Sequence, residues 1–158
     1  TVHGLHGLNT VNTPALMQYE AFGLTDVTLS FEVSAKSIAA LGGNIKRGAI
    51  VYGYLPLMLM RCCPQKSADG CKKCSGRTFL TDRKGKQFPV LCHNREYSVL
   101  HNCIPLYVGD KKIPPLDFYE LYFTVESKEY CEYICNSFQN SEVIDKEKTN
   151  GSFFKELL

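Results

Sequence analysis

Within the first sixty residues, strand-like and helix-like stretches alternate across short loops, and no other feature constrains the fold as strongly. Residues 2–8 are apolar and punctuated by glycine. The turn-rich LNTVNTP leads into a helical stretch at 15–22, with Asn12 or Thr13 as its cap, Pro14 in the first turn and Gly23 as its stop. Residues 26–31 set Val27, Leu29 and Phe31 at alternate positions, which is the pattern of a strand. Ser34 caps a second helix at 35–41 that ends at Gly42-Gly43. Residues 47–54 and 55–60, rich in β-branched, aromatic and other apolar side chains, are further extended segments. The order β-α-β-α-β implies parallel strands joined by right-handed crossovers, the α/β class of sheets and barrels. Functional groups in such folds collect at the C-terminal ends of strands. Asn9 and Asn12, Ser30 and Glu32, and Gly53 and Tyr54 occupy those places here. A closed eight-stranded barrel takes about 250 residues, so a chain of 158 residues is expected to hold only its later units. The opening TVHGLHGLN reads as the middle of an element, and a piece of a longer protein is expected.

After Met60 the grammar changes. Residues 61–95, RCCPQKSADGCKKCSGRTFLTDRKGKQFPVLCHNR, carry five of the eight cysteines and nine of the eighteen basic residues. Nine basic against two acidic residues give this segment a net +7 and leave −5 for the remainder. Such a surface would meet phosphates, or would simply be solvated. Cys71 and Cys74 form a C-x2-C pair; Cys62 and Cys63 precede it by eight and seven intervening residues, and Cys92 follows after seventeen. A C-x2-C turn brings two sulfurs to one ion or cluster. Together with Cys92 and one of Cys62 or Cys63 it makes a four-thiolate set suited to tetrahedral zinc or an iron–sulfur cluster. Neighbouring residues of an extended chain face opposite ways, so one of the pair is expected to ligate, Cys63 before Pro64 being preferred. The bland alternative is a group of reduced thiols near the surface. Turn signals at Asp69-Gly70, Ser75-Gly76 and Lys84-Gly85, with residues 78–82 able to pair with 87–91, describe a loop-and-hairpin insertion.

The remainder closes the domain. Pro105 divides residues 97–108 into two short pieces rather than one helix; 109–116 is a polar loop, 117–125 a strong strand, and Ser127 caps a helix from 128 to about 138. Beyond Asn140 the chain is polar and charged and is expected to be partly mobile. The division expected is therefore 1–60 as a partial (βα) barrel, 61–95 as a basic metal-binding insertion, 96–140 as a closing α/β segment and 141–158 as a tail. Cys131 and Cys135 share a helix face and, like Cys103, read as small buried core residues. Cys92-His93 is discounted as a nucleophile–base dyad because strand neighbours face opposite ways. His3, His6 and His101 stand at no recognisable metal or catalytic spacing. Glu32, at the end of a strand, is the best isolated acid; Asp82-Arg83, between two strands, either binds substrate or ties the hairpin. No G-x-S-x-G, H-E-x-x-H, phosphate loop or dinucleotide fingerprint occurs. No apolar run approaches eighteen residues and no signal-like series opens the chain, so a soluble, cytoplasmic protein is expected.

Several stretches, taken in order, resemble one family: LNTVNTPALMQYEAFGLTDVTLSFEVS, YGYLPLMLMRCCP, CKKC, FLTDRKGKQFPVLCHN, HNCIPLYV and, near the end, TNGSFF. They are similar to the collagenase-like proteases called peptidase U32. The resemblance implies the later part of a TIM-type barrel with a cysteine-bearing insertion and a C-terminal βα unit. It implies a 4Fe-4S cluster on Cys63 (or Cys62), Cys71, Cys74 and Cys92, as in members that hydroxylate RNA bases or a quinone precursor, whereas the older family label is proteolysis. It matches Glu32, Asp82 and Arg83 to recurrent positions, which makes Glu32 and Arg83 the catalytic candidates. The chain departs from the family where Cys103 replaces the usual serine and in lacking the first half of the barrel, so the piece alone is expected to be inactive. The partners implied are RNA or a peptide as substrate and the rest of the barrel; self-association through exposed strand edges is also expected. A noncatalytic, zinc-structured RNA-binding module is the alternative.

Overall fold

The computed structural model describes residues 1–66, 70, 71 and 74–155. Asp69, half of one expected turn, and the last three residues of the tail lie outside them. The chain divides into two compact units, Thr1–Gly53 with Leu106–Leu158, and Tyr54–Pro105. Together they are a mixed α/β structure with one largely parallel sheet and one antiparallel sheet. Among the described residues no helix is long and apolar enough to cross a membrane.

In the first unit β1 (His3–Gly4), β2 (Asp26–Thr28) and β3 (Lys46–Gly53) run parallel, with Val27 opposite Arg47. Helix α1 (Thr13–Ala21) and helix α2 (Ala35–Ala40) form the crossovers. Their starts are written locally: Asn12 Oδ1 accepts the Ala15 N–H at 2.9 Å and Ser34 Oγ that of Ser37 at 3.2 Å. Both edges of β3 are used. Its first residues pair with β2 and its last two with β8 (Leu106–Tyr107), antiparallel, while β9 (Phe118–Tyr122) lies parallel along the opposite edge. A central strand covered in this way needs apolar side chains on both faces, and Ala49, Ile50, Val51 and Tyr52 are all buried. Gly48 stands opposite Phe118; a Cβ there would collide with the Phe118 ring, so glycine is what lets β9 pack. Helix α3 (Lys128–Gln139), capped by Ser127, lays Ile134 against Tyr52, Tyr107 and Ile144.

Two expected strands are shorter than the pattern suggests. The chain leaves β2 after Thr28 because the Ser30 N–H turns to the Thr10 carbonyl at 3.0 Å. It leaves β9 after Tyr122 because the Glu126 carboxylate accepts the N–H groups of Thr124 and Val125 at 2.6 and 2.8 Å, and the Tyr52 hydroxyl at 2.8 Å. The tail also differs from expectation. Far from hanging loose, it buries Ile144 and Phe153, and its Thr149 carbonyl accepts the Tyr107 N–H at 3.0 Å. Lys148 meets Asp110 at 2.8 Å. Burial alone would push the Asp110 carboxyl up, but the hydrogen bond and charge of Lys148, with Lys111 nearby, hold it below the usual carboxylate range. Tyr107 donates to the Glu142 carbonyl at 2.8 Å, and burial, followed by the charge of Asp110, pushes its phenol up to about 12.

The second unit is an antiparallel sheet in the order β4 (Pro56–Met60), β7 (Tyr97–His101), β6 (Gln87–His93), β5 (Arg77–Thr81). The β5–β6 hairpin is tied by Asp82, whose Oδ1 accepts the N–H groups of Lys84 and Lys86 at 2.8 and 2.9 Å. Pro105 separates β7 from β8, so the two pieces of 97–108 are strands in different sheets.

Candidate metal centre

The cysteine segment is built from three short turns laid beside β6. Directly after β4, Cys63 opens a turn closed by the Lys66 N–H on its carbonyl at 3.2 Å. Pro64 falls at the second position, where its fixed φ favours such a turn. The C-x2-C pair makes the second turn, with the Cys74 N–H on the Cys71 carbonyl at 3.3 Å. Gly76 then adopts φ +79°, a conformation open to glycine. Its N–H donates to Cys74 Sγ at 3.3 Å and its carbonyl accepts the Cys92 N–H at 2.8 Å. One residue thus ties the C-x2-C turn to the strand that carries the distant cysteine. The third turn joins β6 to β7, with Asn94 and Arg95 both left-handed and the Glu96 N–H on the His93 carbonyl at 2.9 Å.

These turns enclose a recess of about 110 Å³ lined by Cys62, Cys63, Cys71 and Cys92 together with Arg61, Lys66, Arg95, Tyr97 and Ser98. Both members of the Cys62-Cys63 pair line it, which leaves the choice between them open. Cys74 does not line it. All eight cysteines are free thiols. Soft sulfur donors in this number fit zinc or an iron–sulfur cluster in kind. They do not define a coordination geometry, because among the described residues no three His, Cys, Asp or Glu side chains stand in an arrangement that could hold a metal ion.

Other candidates fall elsewhere. Glu32 is exposed beyond β2, its N–H donating to Ser30 Oγ at 3.3 Å. It belongs to the first unit, while Arg83, exposed in the β5–β6 turn, belongs to the second. Asp82 is occupied by the hairpin. His93 stacks on Tyr97 with ring centroids 4.7 Å apart. His3 has a partner that spacing did not suggest, Asp26, at 2.8 Å. Cys103, Cys131 and Cys135, expected as small buried core residues, are half-buried; on α3 it is Ile134 that takes the inward position. Burial and then the charge of Glu126 push the Cys131 thiol up. The residues that the sequence did not single out are Arg95 and Tyr97. The available signal was Asn94-Arg95 standing between two strand patterns, where a tight hairpin turn takes Asn-Gly.

Compared with protein-family models, with curated proteins and with solved structures, the chain matches none.

Proposed function

We propose that residues 54–105 form a thiolate metal centre, with an iron–sulfur cluster as the preferred occupant, in an α/β protein of the peptidase U32 type. The observation that carries this reading is the convergence of Cys62, Cys63, Cys71 and Cys92 on one recess. A second point supports it. Among the described residues of Tyr54–Pro105, Val90 and Leu55 are the buried aliphatic side chains, and there is no disulfide. Units this small with so thin a core usually need a staple, and a metal is one. On this reading Cys71 and Cys92, with Cys62 or Cys63, supply thiolates; Cys74 completes the set, its sulfur oriented by the Gly76 N–H. When bound, the cluster supplies redox chemistry. The first unit is then the later part of a TIM-type barrel, in which Glu32 acts as acid or base; in the second unit Arg83 is an anion contact for an RNA or peptide substrate. That turnover belongs to the longer protein the resemblance implies.

Iron and acid-labile sulfide in anaerobically purified protein test the centre. Both are expected, and each is lost on Cys71→Ser; serine at Cys62 and at Cys63 separately names the remaining ligand. Zinc without sulfide would instead favour a zinc-structured interaction module that binds RNA in a salt-sensitive manner without turnover. Protein carrying neither metal nor sulfide would remove the proposal. Glu32→Gln in the longer protein is expected to abolish turnover with metal content unchanged.

A further inference from the structure

The two faces of the antiparallel sheet in the second unit carry different side chains. Cross-strand partners share a face and alternate residues take opposite ones. One face holds Val90 and Ser98, both buried, with Cys92 paired to Ser98. On the other, the register sets out three rows. Leu59, Val99, Leu91 and Arg77 cross all four strands in the middle row; His93 and Tyr97 pair towards the β6–β7 turn, and Pro89 and Phe79 towards the β5–β6 turn. An antiparallel sheet with one packed face ordinarily turns polar side chains to water on the other. Here Leu59 is exposed, Phe79 is 50% exposed and Tyr97 36%. His93 and Tyr97 lie flat on one another, with ring centroids 4.7 Å and planes 10° apart. Phe79 stands two rows away, about 13 Å along the strand direction. Cations accompany the rings: Arg77 in the middle row, and Arg83, Lys84 and Arg95 exposed in the turns at the two ends. Residues 61–95 sum to +7. A solvated basic surface has no need of exposed rings, and an apolar docking face has no need of this charge. Single-stranded nucleic acid meets both, because its bases stack on rings while its phosphates meet cations.

We propose that this sheet face binds single-stranded nucleic acid, with Phe79 and the His93–Tyr97 stack as platforms for separate bases and Arg77 as a phosphate contact between them. The inference rests on the reading above in taking nucleic acid rather than peptide as the partner, and makes no use of the metal.

The test titrates the full chain into a labelled short oligouridylate and its deoxythymidylate counterpart, follows fluorescence anisotropy at several salt concentrations, and measures metal and sulfide in the same preparations. The parent is expected to bind, more weakly as salt rises; the tighter of the two oligonucleotides tells RNA from DNA as the source, and binding of either supports the proposal. Phe79→Ala should weaken binding roughly 5–150-fold with thermal midpoint and metal content unchanged, and Phe79→Tyr should restore it. Phe79 is the decisive position because Tyr97 also borders the cysteine recess. Arg77→Gln should lower the slope of log affinity against log salt by about 0.7. A parent that binds neither oligonucleotide at low salt would overturn the inference. So would a Phe79→Ala chain that binds as tightly as the parent, which would mean that charge alone is at work, or duplex RNA bound as well as the single strand. A dimer that Phe79→Ala dissolves, with no oligonucleotide bound, would make the face a protein interface instead. Binding through Phe79 by protein without metal would keep this inference and remove the metal centre; metal-loaded protein that binds neither oligonucleotide would do the opposite.

Discussion

The two units are held together by different means. In the first, Leu16, Val27, Leu29, Ile50, Val51, Tyr52 and Ile134 are essentially inaccessible, β3 is paired on both edges, and even the polar tail is anchored by Ile144, Phe153 and the Asp110–Lys148 pair. In the second, Val90 is the one aliphatic side chain at 1% exposure among the described residues, whereas Leu59 and Met58 stand 70% and 55% exposed on an edge strand. The first unit has its order from apolar burial. The second has six cysteines, glycines at φ > 0 in its turns and a recess lined by cysteines and cations. The difference teaches where chemistry is to be sought: in the unit whose own packing explains least of its residues.

The comparison can be broken from either side. The largest effect is expected in the first unit, where Ile134→Ala removes a side chain at 0% exposure from the Tyr52–Tyr107 cluster. It should destabilise that unit by about 2–5 kcal/mol in denaturant unfolding and leave metal affinity unchanged. Cys92→Ser should do the reverse: loss of a ligand lowers cobalt affinity by more than the about 10–100-fold typical of non-ligating neighbours, with no change in unfolding of the first unit. Asp110→Asn should reduce stability at neutral pH by about 1–2 kcal/mol. Its pH dependence has a definite sign. The folded carboxyl is held low, so its contribution is present above the unfolded value of about 3.9 and is lost as pH falls through the lower folded value. The Asn variant should therefore show a flatter acid limb when unfolding is followed against pH. The smallest effect, about 1 kcal/mol, is expected from Ser127→Ala, which removes the cap hydrogen bond to Tyr130 N.

Much of this architecture was legible in the sequence wherever the determining residues are neighbours. Asn12, Ser34 and Ser127 mark helix starts because each cap acts within three residues. The β5–β6 hairpin is legible in the same way from Asp82 and Gly85. What was not legible depends on distant partners. Residues 47–54 and 55–60 read as two successive extended segments, yet β3 and β4 enter different sheets, a choice set by pairing with β9 and β7 and invisible in either segment alone. The anchoring of the tail by Tyr107 and Asp110 crosses more than thirty residues. At the site, spacing grouped the cysteines, and Cys63, Cys71 and Cys92 do share a recess. It could not show that Arg95, left-handed in the β6–β7 turn, also lines that recess.

Hydrogen exchange with and without a chelator, on anaerobically purified protein and read by segment, tests the central claim most directly. If the metal centre is as proposed, chelation is expected to strip protection from amides within 54–105, those of β6 and β7 included, while β3 and β9 keep theirs. Protection in 54–105 that is unchanged once the metal has gone, or lost equally from β3, would contradict it.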